Sequence, residues 1–276
     1  MKLIMAAAGI MLLLLGAAIA EQADTVKPAD TSAVGEVRID ILYDNYLYPE
    51  GETSLGGFSC LVRGAEKTIL FDAGRLGDSL LANMAALDVD PEIIDAVVIS
   101  HDHGDHTAGL AQLLPECDSA QVFLLESFSQ ELKQNTRALG GKVVENSGPV
   151  EICQDVHTTG EMQGRATEHA LILKTRGGLI VITGCAHPGV VEMVRKAKEL
   201  MQDEILLVMG GFHLVTHSSE AVADVISDLQ ELAVQHIAPT HCTGDEAIRM
   251  IAEAFGDGFV KIGVGATIRL SDLVDD

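Results

Sequence analysis

Residues 100–109 read Ser-His-Asp-His-Gly-Asp-His-Thr-Ala-Gly, and they directly follow the apolar run Ala-Val-Val-Ile at 96–99. Three imidazoles and two carboxylates therefore fall within the six residues from His101 to His106. Imidazole and carboxylate suit Zn²⁺, Fe²⁺ or Mn²⁺, and a loop that leaves a rigid strand end can aim several ligands at one point. The stretch predicts a metal site built on His101, His103, Asp105 and His106, and a solvated histidine-rich loop is the less favoured alternative.

The HxHxDH pattern resembles the metallo-β-lactamase superfamily, in which the first two histidines serve one metal and the Asp-His pair serves a second. The upstream stretch Ile-Leu-Phe-Asp-Ala-Gly at 69–74 is similar to the superfamily's strand that ends in Asp-x-Gly. The resemblance implies an α/β (α+β) fold, namely a four-layer αββα sandwich. It also implies a divalent metal cofactor of two ions, with zinc as the favoured metal and iron or manganese as alternatives. It also implies that Asp72 orients a ligating imidazole rather than binding metal itself. The alternative is that Asp72 is an ordinary aspartate of a turn.

Further ligands are implied downstream. Residues 179–189 occupy the place where the superfamily has a strand followed by Gly-Asp, and Cys185 stands where an aspartate bridges both metals. A thiolate can ligate at about 2.3 Å, so this replacement preserves coordination, although a small buried residue is the alternative. The last expected ligand, a histidine after a final strand, is His241.

One expected histidine is missing, because the matching stretch around residue 160 holds Glu161 instead. Either Glu161 binds metal, or His187 supplies the nitrogen, or one metal is weakly held. We favour His187, with His157 and His169 as lesser alternatives.

Three more side chains are interpreted by their position. His213 lies in the stretch Gly-Gly-Phe-His-Leu at 210–214. It is predicted to act as a general acid or to contact a substrate phosphate, and the alternative is a role in loop packing. Asp105 is predicted to bind or orient the attacking water. Cys242 is predicted to be structural, because an extended backbone would point it away from His241.

The rest of the chain opens with strands and then alternates strand and helix. Continuous apolar strands such as 179–182 need cover on both faces, which predicts a layered sandwich. Predicted strands are 36–43, 68–71, 96–99, 121–125, 170–173, 179–182, 205–209 and 259–262, and predicted helices are 76–87, 127–139, 189–201, 219–234 and 245–255.

The first twenty residues carry Lys2, an apolar run over 3–20 and a terminal Ala-Ile-Ala. This pattern predicts a cleaved signal peptide over 1–20, a linker over 21–35 and a metallo-β-lactamase-fold domain over 36–276. Export to a periplasmic or secreted location follows. The alternative is an uncleaved anchor, the one case in which we expect contact with a membrane.

The composition limits the partners. Eighteen basic residues face 41 acidic ones, for a net charge of −23. A surface this acidic repels phosphate backbones, so we expect a small-molecule substrate and no nucleic acid. Five cysteines are scattered along the chain, and Cys117 with Cys153 is a possible disulfide, with buried free thiols as the alternative.

The segments 184–189, 210–214 and 241–244 are similar to one branch of the superfamily, the 7,8-dihydropterin-6-methyl-4-(β-D-ribofuranosyl)aminobenzene 5′-phosphate synthases. Export fits poorly with a step of pterin cofactor synthesis, because such intermediates are normally intracellular. The predicted function is therefore a metal-dependent hydrolase in which a metal-activated water attacks an ester, phosphoester or lactam-type small molecule. The alternatives are a transferase of the synthase type and a non-catalytic metal-binding protein.

Overall fold

The computed structural model describes residues 36–49, 56–117 and 120–274. The predicted signal peptide and linker lie outside these residues. Within the described part of the chain, no helix is both long and apolar enough to cross a membrane.

Two β-sheets form the centre of the fold. The first has seven strands in the order β13-β1-β2-β3-β4-β5-β6, and the second has six in the order β12-β11-β10-β9-β8-β7. The strands of the first sheet are β1 Arg38–Tyr43, β2 Ser59–Arg63, β3 Ile69–Phe71, β4 Ala96–Val98, β5 Gln121–Leu125, β6 Lys142–Asn146 and β13 Thr267–Arg269. Those of the second are β7 Glu151–Cys153, β8 Val156–Thr158, β9 Leu171–Thr175, β10 Gly178–Thr183, β11 Ile205–Gly211 and β12 His236–Thr240.

Helices cover the outer face of each sheet. They are α1 Gly77–Ala86, α2 Gly104–Thr107, α3 Leu110–Leu113, α4 Gln130–Ala138, α5 Val190–Met201, α6 Ser219–Glu231 and α7 Asp245–Phe255. Residues of α1, α3 and α4 pack on the first sheet, and residues of α5, α6 and α7 pack on the second. The fold is thus the predicted four-layer αββα sandwich.

Three apolar clusters correspond to these layers. One fills the space between the sheets, and it brings Phe71 and Val98 of the first sheet together with Ile182 and Met209 of the second. The other two lie under the helices. Because alternate side chains of a strand point to opposite faces, strands such as β10 are buried on both sides and read as continuous apolar runs.

Cys117 and Cys153 are free thiols in different apolar clusters, so the structure supports the alternative of buried thiols over a disulfide.

The direction of the strands determines where the loops meet. Strands β3, β4, β5 and β6 run parallel, as do β10, β11 and β12. Loops that leave the carboxyl ends of parallel strands emerge on one edge of a sheet, which is where open α/β sheets bind ligands. The predicted site residues all follow such ends, on β4, β10, β11 and β12.

The strand predicted over 259–262 is wrong. Phe259 makes one isolated bridge to Ile237, and the last strand is β13 instead. The physical reason is that the chain here leaves the second sheet through Gly263 and Gly265 and pairs with β1 in the first.

Candidate metal centre

Three histidines meet at a first position. Ligand atoms of His101, His103 and His187 all lie within 4.8 Å of one another. The ring centroids of His101 and His187 are 4.5 Å apart, and those of His103 and His187 are 4.8 Å apart. His101 and His103 come from the loop after β4, and His187 comes from the loop after β10, so each sheet contributes to the position.

A second position lies beside the first. Ligand atoms of Asp105, His106 and His241 form another group within 4.8 Å. Asp105 Oδ2 is 3.5 Å from His241 Nε2 and 3.7 Å from His106 Nε2. Here too the two sheets meet, because Asp105 and His106 belong to α2 and His241 follows β12.

Cys185 lies between the two positions. Its Sγ is 3.3 Å from His106 Nε2, and it forms a group within 4.8 Å with His101 of the first position and His106 of the second. The thiol is buried. This is the place of a ligand shared by two metals, which is the role that the resemblance assigned to Cys185.

Four of the five imidazoles at these positions are held from behind by a protein oxygen on their Nδ1 atoms. The pairs are His101 with Ser100 Oγ at 2.9 Å, His106 with Asp72 Oδ2 at 2.7 Å, His187 with Glu168 Oε2 at 2.8 Å and His241 with Asn45 Oδ1 at 2.9 Å. Such contacts fix the orientation of ligating histidines and leave Nε2 to face the metal.

The side chains fit divalent metal. His101 Nε2 and His241 Nε2 are buried, and neither has a hydrogen-bond partner among the described residues. A buried nitrogen without a partner costs free energy, and a dication at either position would satisfy it. Five imidazoles, a carboxylate and a thiolate form a donor set of the kind that zinc and iron take.

Two of the imidazoles of this centre, those of His101 and His106, are neutral. Burial, aided by the neighbouring His106, lowers the pKa of His101 to about 3, and burial, aided by His241, lowers the pKa of His106 to about 3. Burial would raise the pKa of Asp105, but His241 and His106 outweigh it and hold that pKa below its usual range. Neutral imidazole and ionised carboxylate are the forms that bind metal.

Glu168 is a buried carboxylate that organises the loop after β10. Its Oε1 accepts hydrogen bonds from the backbone N–H of Gly184, Cys185 and Ala186 at 3.1, 2.9 and 2.9 Å. Its Oε2 accepts from both the backbone N–H and the Nδ1–H of His187, at 2.9 and 2.8 Å. Burial would raise its pKa, but these bonds and nearby His101 outweigh burial and hold the pKa well below its usual range.

Asp72 occupies the place expected of an orienting carboxylate. Besides His106, it accepts from the backbone N–H and the hydroxyl of Ser100, both at 2.7 Å. Burial raises its pKa to about 7. Gly184 packs against the same pair, and a Cβ there would lie 2.0 Å from Ser100 Oγ, so only glycine fits at this close approach.

The prediction that Cys242 points away from His241 is wrong. His241 has a φ of 52°, and residues His241–Thr243 form a 3₁₀ turn rather than extended backbone. This turn brings Cys242 Sγ into a group within 4.8 Å with Cys185 and His241. The hydrogen bond with Cys185 lowers the pKa of the Cys242 thiol.

His213 lies at the rim of the centre. Its ring centroid is 4.7 Å from that of His187, and it forms a group within 4.8 Å with Cys185 and His187. Its Nδ1 is buried without a hydrogen-bond partner in the described chain, and the hydrogen bond with Cys242 raises its pKa.

The three alternatives to His187 lie elsewhere. Glu161 accepts a hydrogen bond from Ser127 N at 2.8 Å, and His169 Nε2 contacts Ile99 O at 2.8 Å. None of the candidate metal groups in the described residues includes Glu161, His157 or His169.

Two residues, Glu168 and Asn45, were not assigned a role in the sequence analysis. Glu168 precedes a buried strand and is far in sequence from most of the loop it holds, so no local pattern indicates its role. The contact of Asn45 with His241 spans 196 residues, so no local pattern indicates it either.

Comparisons with known proteins agree with this geometry. The family model of the metallo-β-lactamase superfamily matches residues 53–122, which contain the whole histidine-rich segment. Tm1679, described as a metal-dependent hydrolase of the β-lactamase superfamily, superposes with a TM-score of 0.70 at 26% identity, over 86% of this chain and 100% of that one. Over residues 53–122 the chain thus carries the sequence pattern of the metallo-β-lactamase superfamily, and it has the fold of that superfamily.

Within the superfamily, a curated relative is the 7,8-dihydropterin-6-methyl-4-(β-D-ribofuranosyl)-aminobenzene-5′-phosphate synthase of Methanocaldococcus jannaschii. It is 29% identical over 286 residues, covering 86% of this chain and 97% of the relative. The metallo-β-lactamase fold protein YhfI from Bacillus subtilis shares the fold, with a TM-score of 0.64 at 15% identity over 85% of this chain and 99% of that one.

Proposed function

We propose that the chain is a metal-dependent hydrolase that acts on a small ester, phosphoester or lactam. The observation that carries this proposal is the convergence of two three-ligand groups on either side of Cys185, with four imidazoles oriented from behind. Seven donors that meet at two adjacent positions fit a pair of divalent metal ions, and zinc is the metal that we favour.

When bound, divalent metal supplies a nucleophilic water at neutral pH and polarises a substrate oxygen. The side chains supply the rest. Asp105, ionised and half-buried, accepts a hydrogen bond and orients the attacking water, while His213 donates a proton to the leaving group from the rim. The buried Glu168 keeps His187 in the tautomer whose Nε2 faces inward.

The side of the centre where a substrate would enter favours an anionic molecule. A cavity of about 280 Å³ adjoins His187 and His213 and is lined by Arg165. Arg165 forms no ion pair with a residue that the structure describes, although the net charge of the chain is −23. Asp228 also lines the cavity, but Arg195 neutralises it at 3.6 Å.

The substrate class is supported by the start of α5 at the same cavity. The first amide N–H groups of a helix have no partner within the helix and attract anions. Val190 and Val191, which begin α5, line the cavity together with apolar Phe212. We therefore propose a phosphate or carboxylate group on the substrate, held by Arg165, next to an apolar moiety.

The hydrolase proposal is tested with His103→Ala, and His157→Ala on β8 is the matched control. Both proteins are analysed for metal content and for turnover of a panel of phosphomonoesters, carboxylic esters and lactams. We expect near two metals per chain in the wild type and the control, and a loss in kcat/KM of about 100-fold or more in His103→Ala. Equal turnover in His103→Ala and the wild type would remove the proposal.

Arg165→Ala tests the substrate class separately. Because Arg165 contacts the substrate and not the reacting atoms, we expect KM for an anionic ester to rise about tenfold with kcat retained. A neutral ester of the same acyl group should be turned over equally by both proteins. A uniform change for both esters would contradict the assignment of Arg165.

The second candidate function is that of the synthase relative, and it is favoured by 29% identity over nearly the whole length of both chains. The two functions are separated by their products. Formation of the compound in the relative's name from its pterin and ribofuranosylaminobenzene parts, without hydrolysis of the ester panel, would favour the synthase. Two bound metals without either activity would favour a metal-binding protein.

A further inference from the structure

Cys242 is a thiol beside the metal centre that the proposed function does not use. Its Sγ lies within 4.8 Å of both Cys185 Sγ and a nitrogen of His241, and 3.8 Å from Cys185 O. Because His241 belongs to the second position, Cys242 stands beside that position.

The surroundings of Cys242 differ from those of the other cysteines. Cys60 and Cys153 pack in the apolar cluster between the sheets, and Cys117 packs in the cluster under α1 and α3. Cys185 and Cys242 belong to none of the apolar clusters of the described residues. The two thiols outside the apolar core are therefore the two that face the metal ligands.

The backbone leaves room for this sulfur. At Gly211, the last residue of β11, a Cβ would lie 2.7 Å from Cys242 Sγ and 2.4 Å from Gly184 O. Any side chain at residue 211 would push the thiol away from Cys185. The close approach of β11 thus keeps Cys242 at the centre.

We propose that Cys242 is a further metal ligand, which together with Cys185 places two sulfur donors at the second position beside Asp105, His106 and His241. This inference rests on the metal centre of the proposed function. Ligation uses the thiolate, so binding of the metal releases the thiol proton to solvent.

The added sulfur distinguishes the two positions chemically. Cys185 is shared by both positions, so the first has three imidazoles and this one sulfur, whereas the second has Cys242 in addition to Cys185, Asp105, His106 and His241. Thiolate is a soft ligand that selects zinc or cadmium over manganese or magnesium. The second position, with two sulfur donors, is therefore the more selective of the two for thiophilic metal.

The test is a titration of the metal-free protein with Co²⁺, followed by the thiolate-to-cobalt charge-transfer absorption. We expect Cys242→Ala and Cys185→Ala each to lose about half of the band, and the double variant to lose all of it. Cys153→Ala, which removes a thiol from the apolar core, should keep the full band. A full band in Cys242→Ala would overturn the inference.

Two further measurements complete the test. The ratio of cadmium to manganese affinity should fall by at least about tenfold in Cys242→Ser. A second measurement uses the wild-type protein, so it does not depend on whether the variants fold. In this protein Zn²⁺ should protect Cys242 from alkylation by iodoacetamide. Equal alkylation with and without Zn²⁺, or a Cys185–Cys242 disulfide in metal-loaded protein, would overturn the inference.

Failure of this inference differs from failure of the proposed function. If the wild type binds no cobalt, both fail. If it binds cobalt and hydrolyses substrate with a band that does not depend on Cys242, only the role of Cys242 is wrong.

Discussion

Buried acceptors behind the histidines determine how each imidazole is presented. Glu168 is the most connected of them, because its two oxygens accept five hydrogen bonds from residues 184–187. A carboxylate in this place does two things. It neutralises the inward dipoles of four backbone amides, and it fixes the proton of His187 on Nδ1.

Replacing this carboxylate by an amide should damage the centre. Glu168→Gln keeps the volume but puts an NH₂ group against N–H donors, so at least one buried donor loses its acceptor. We expect zinc affinity to fall about 10- to 100-fold and the free energy of unfolding to fall by about 2–4 kcal/mol. Chelator competition and urea unfolding measure the two effects.

Glu161→Gln is the control for that variant, because Glu161 contacts Ser127 N and no residue of the candidate metal groups. Zinc affinity should be unchanged in it. If Glu161→Gln and Glu168→Gln lower the affinity alike, His187 is not the ligand that replaces the missing histidine.

The ligands themselves were predictable because their signal is local. His101, His103, Asp105 and His106 lie within six residues, and His187 is two residues from Cys185. The structure brings all seven predicted ligands to one place. Cys242 was misjudged because its direction depends on the positive φ of His241, a conformation that non-glycine residues adopt only rarely.

Among the elements, long periodic or apolar segments were predicted well and short ones were not. The predicted β5 and α7 have the bounds that the structure shows, since each is set off by a clear change in pattern. The two-turn segment α2 and α3 was missed, because four-residue helices carry no periodicity. Strand β13 was also missed, since its partner β1 lies over 200 residues earlier and only tertiary pairing defines it.

Asp40 on β1 contacts side chains of both neighbouring strands. Its carboxylate accepts from Thr267 Oγ1 on β13 at 2.6 Å, from Arg38 Nε at 2.8 Å and from Arg63 on β2. Burial would raise the pKa of Asp40, but these hydrogen bonds outweigh burial and lower it. The ionised form therefore stabilises the first sheet.

Asp40→Asn should lower the free energy of unfolding by about 1–2 kcal/mol at neutral pH. Because the pKa in the folded state lies below that of the unfolded state, about 3.9, this contribution is fully present above pH 4 and is lost as the pH falls through the folded value. Urea unfolding of metal-free protein at pH 7, 5 and 3 measures it. Asp257→Asn, an exposed site, is the control, and a difference that grows at pH 3 would contradict the expected sign.

For the whole molecule, the centre joins the two sheets. Asp105 and His106 extend from the first sheet and Cys185 and His241 from the second. A metal bound at either position would link the two sheets, which otherwise meet through apolar packing. Metal binds the folded state alone, so it adds to stability by mass action.

Zinc should therefore raise the melting temperature. At a free zinc concentration about 100 times Kd, the gain is about 2.7 kcal/mol, or about 5–10 °C for a chain of this size. Differential scanning fluorimetry after chelation and reloading measures the shift. His187→Ala should show a smaller shift than His157→Ala, and equal shifts in these two variants would exclude His187 from the centre.

The contact between Asn45 and His241 has a consequence for biosynthesis. Asn45 follows the first strand of the described chain, and His241 follows the twelfth, 196 residues later. A nascent chain on the ribosome has the histidine-rich segment well before it has His241, and the amide contact that orients His241 forms only after that. The second position can therefore be completed only once residue 241 has been made, and a chain that ends before residue 241 lacks one of its donors.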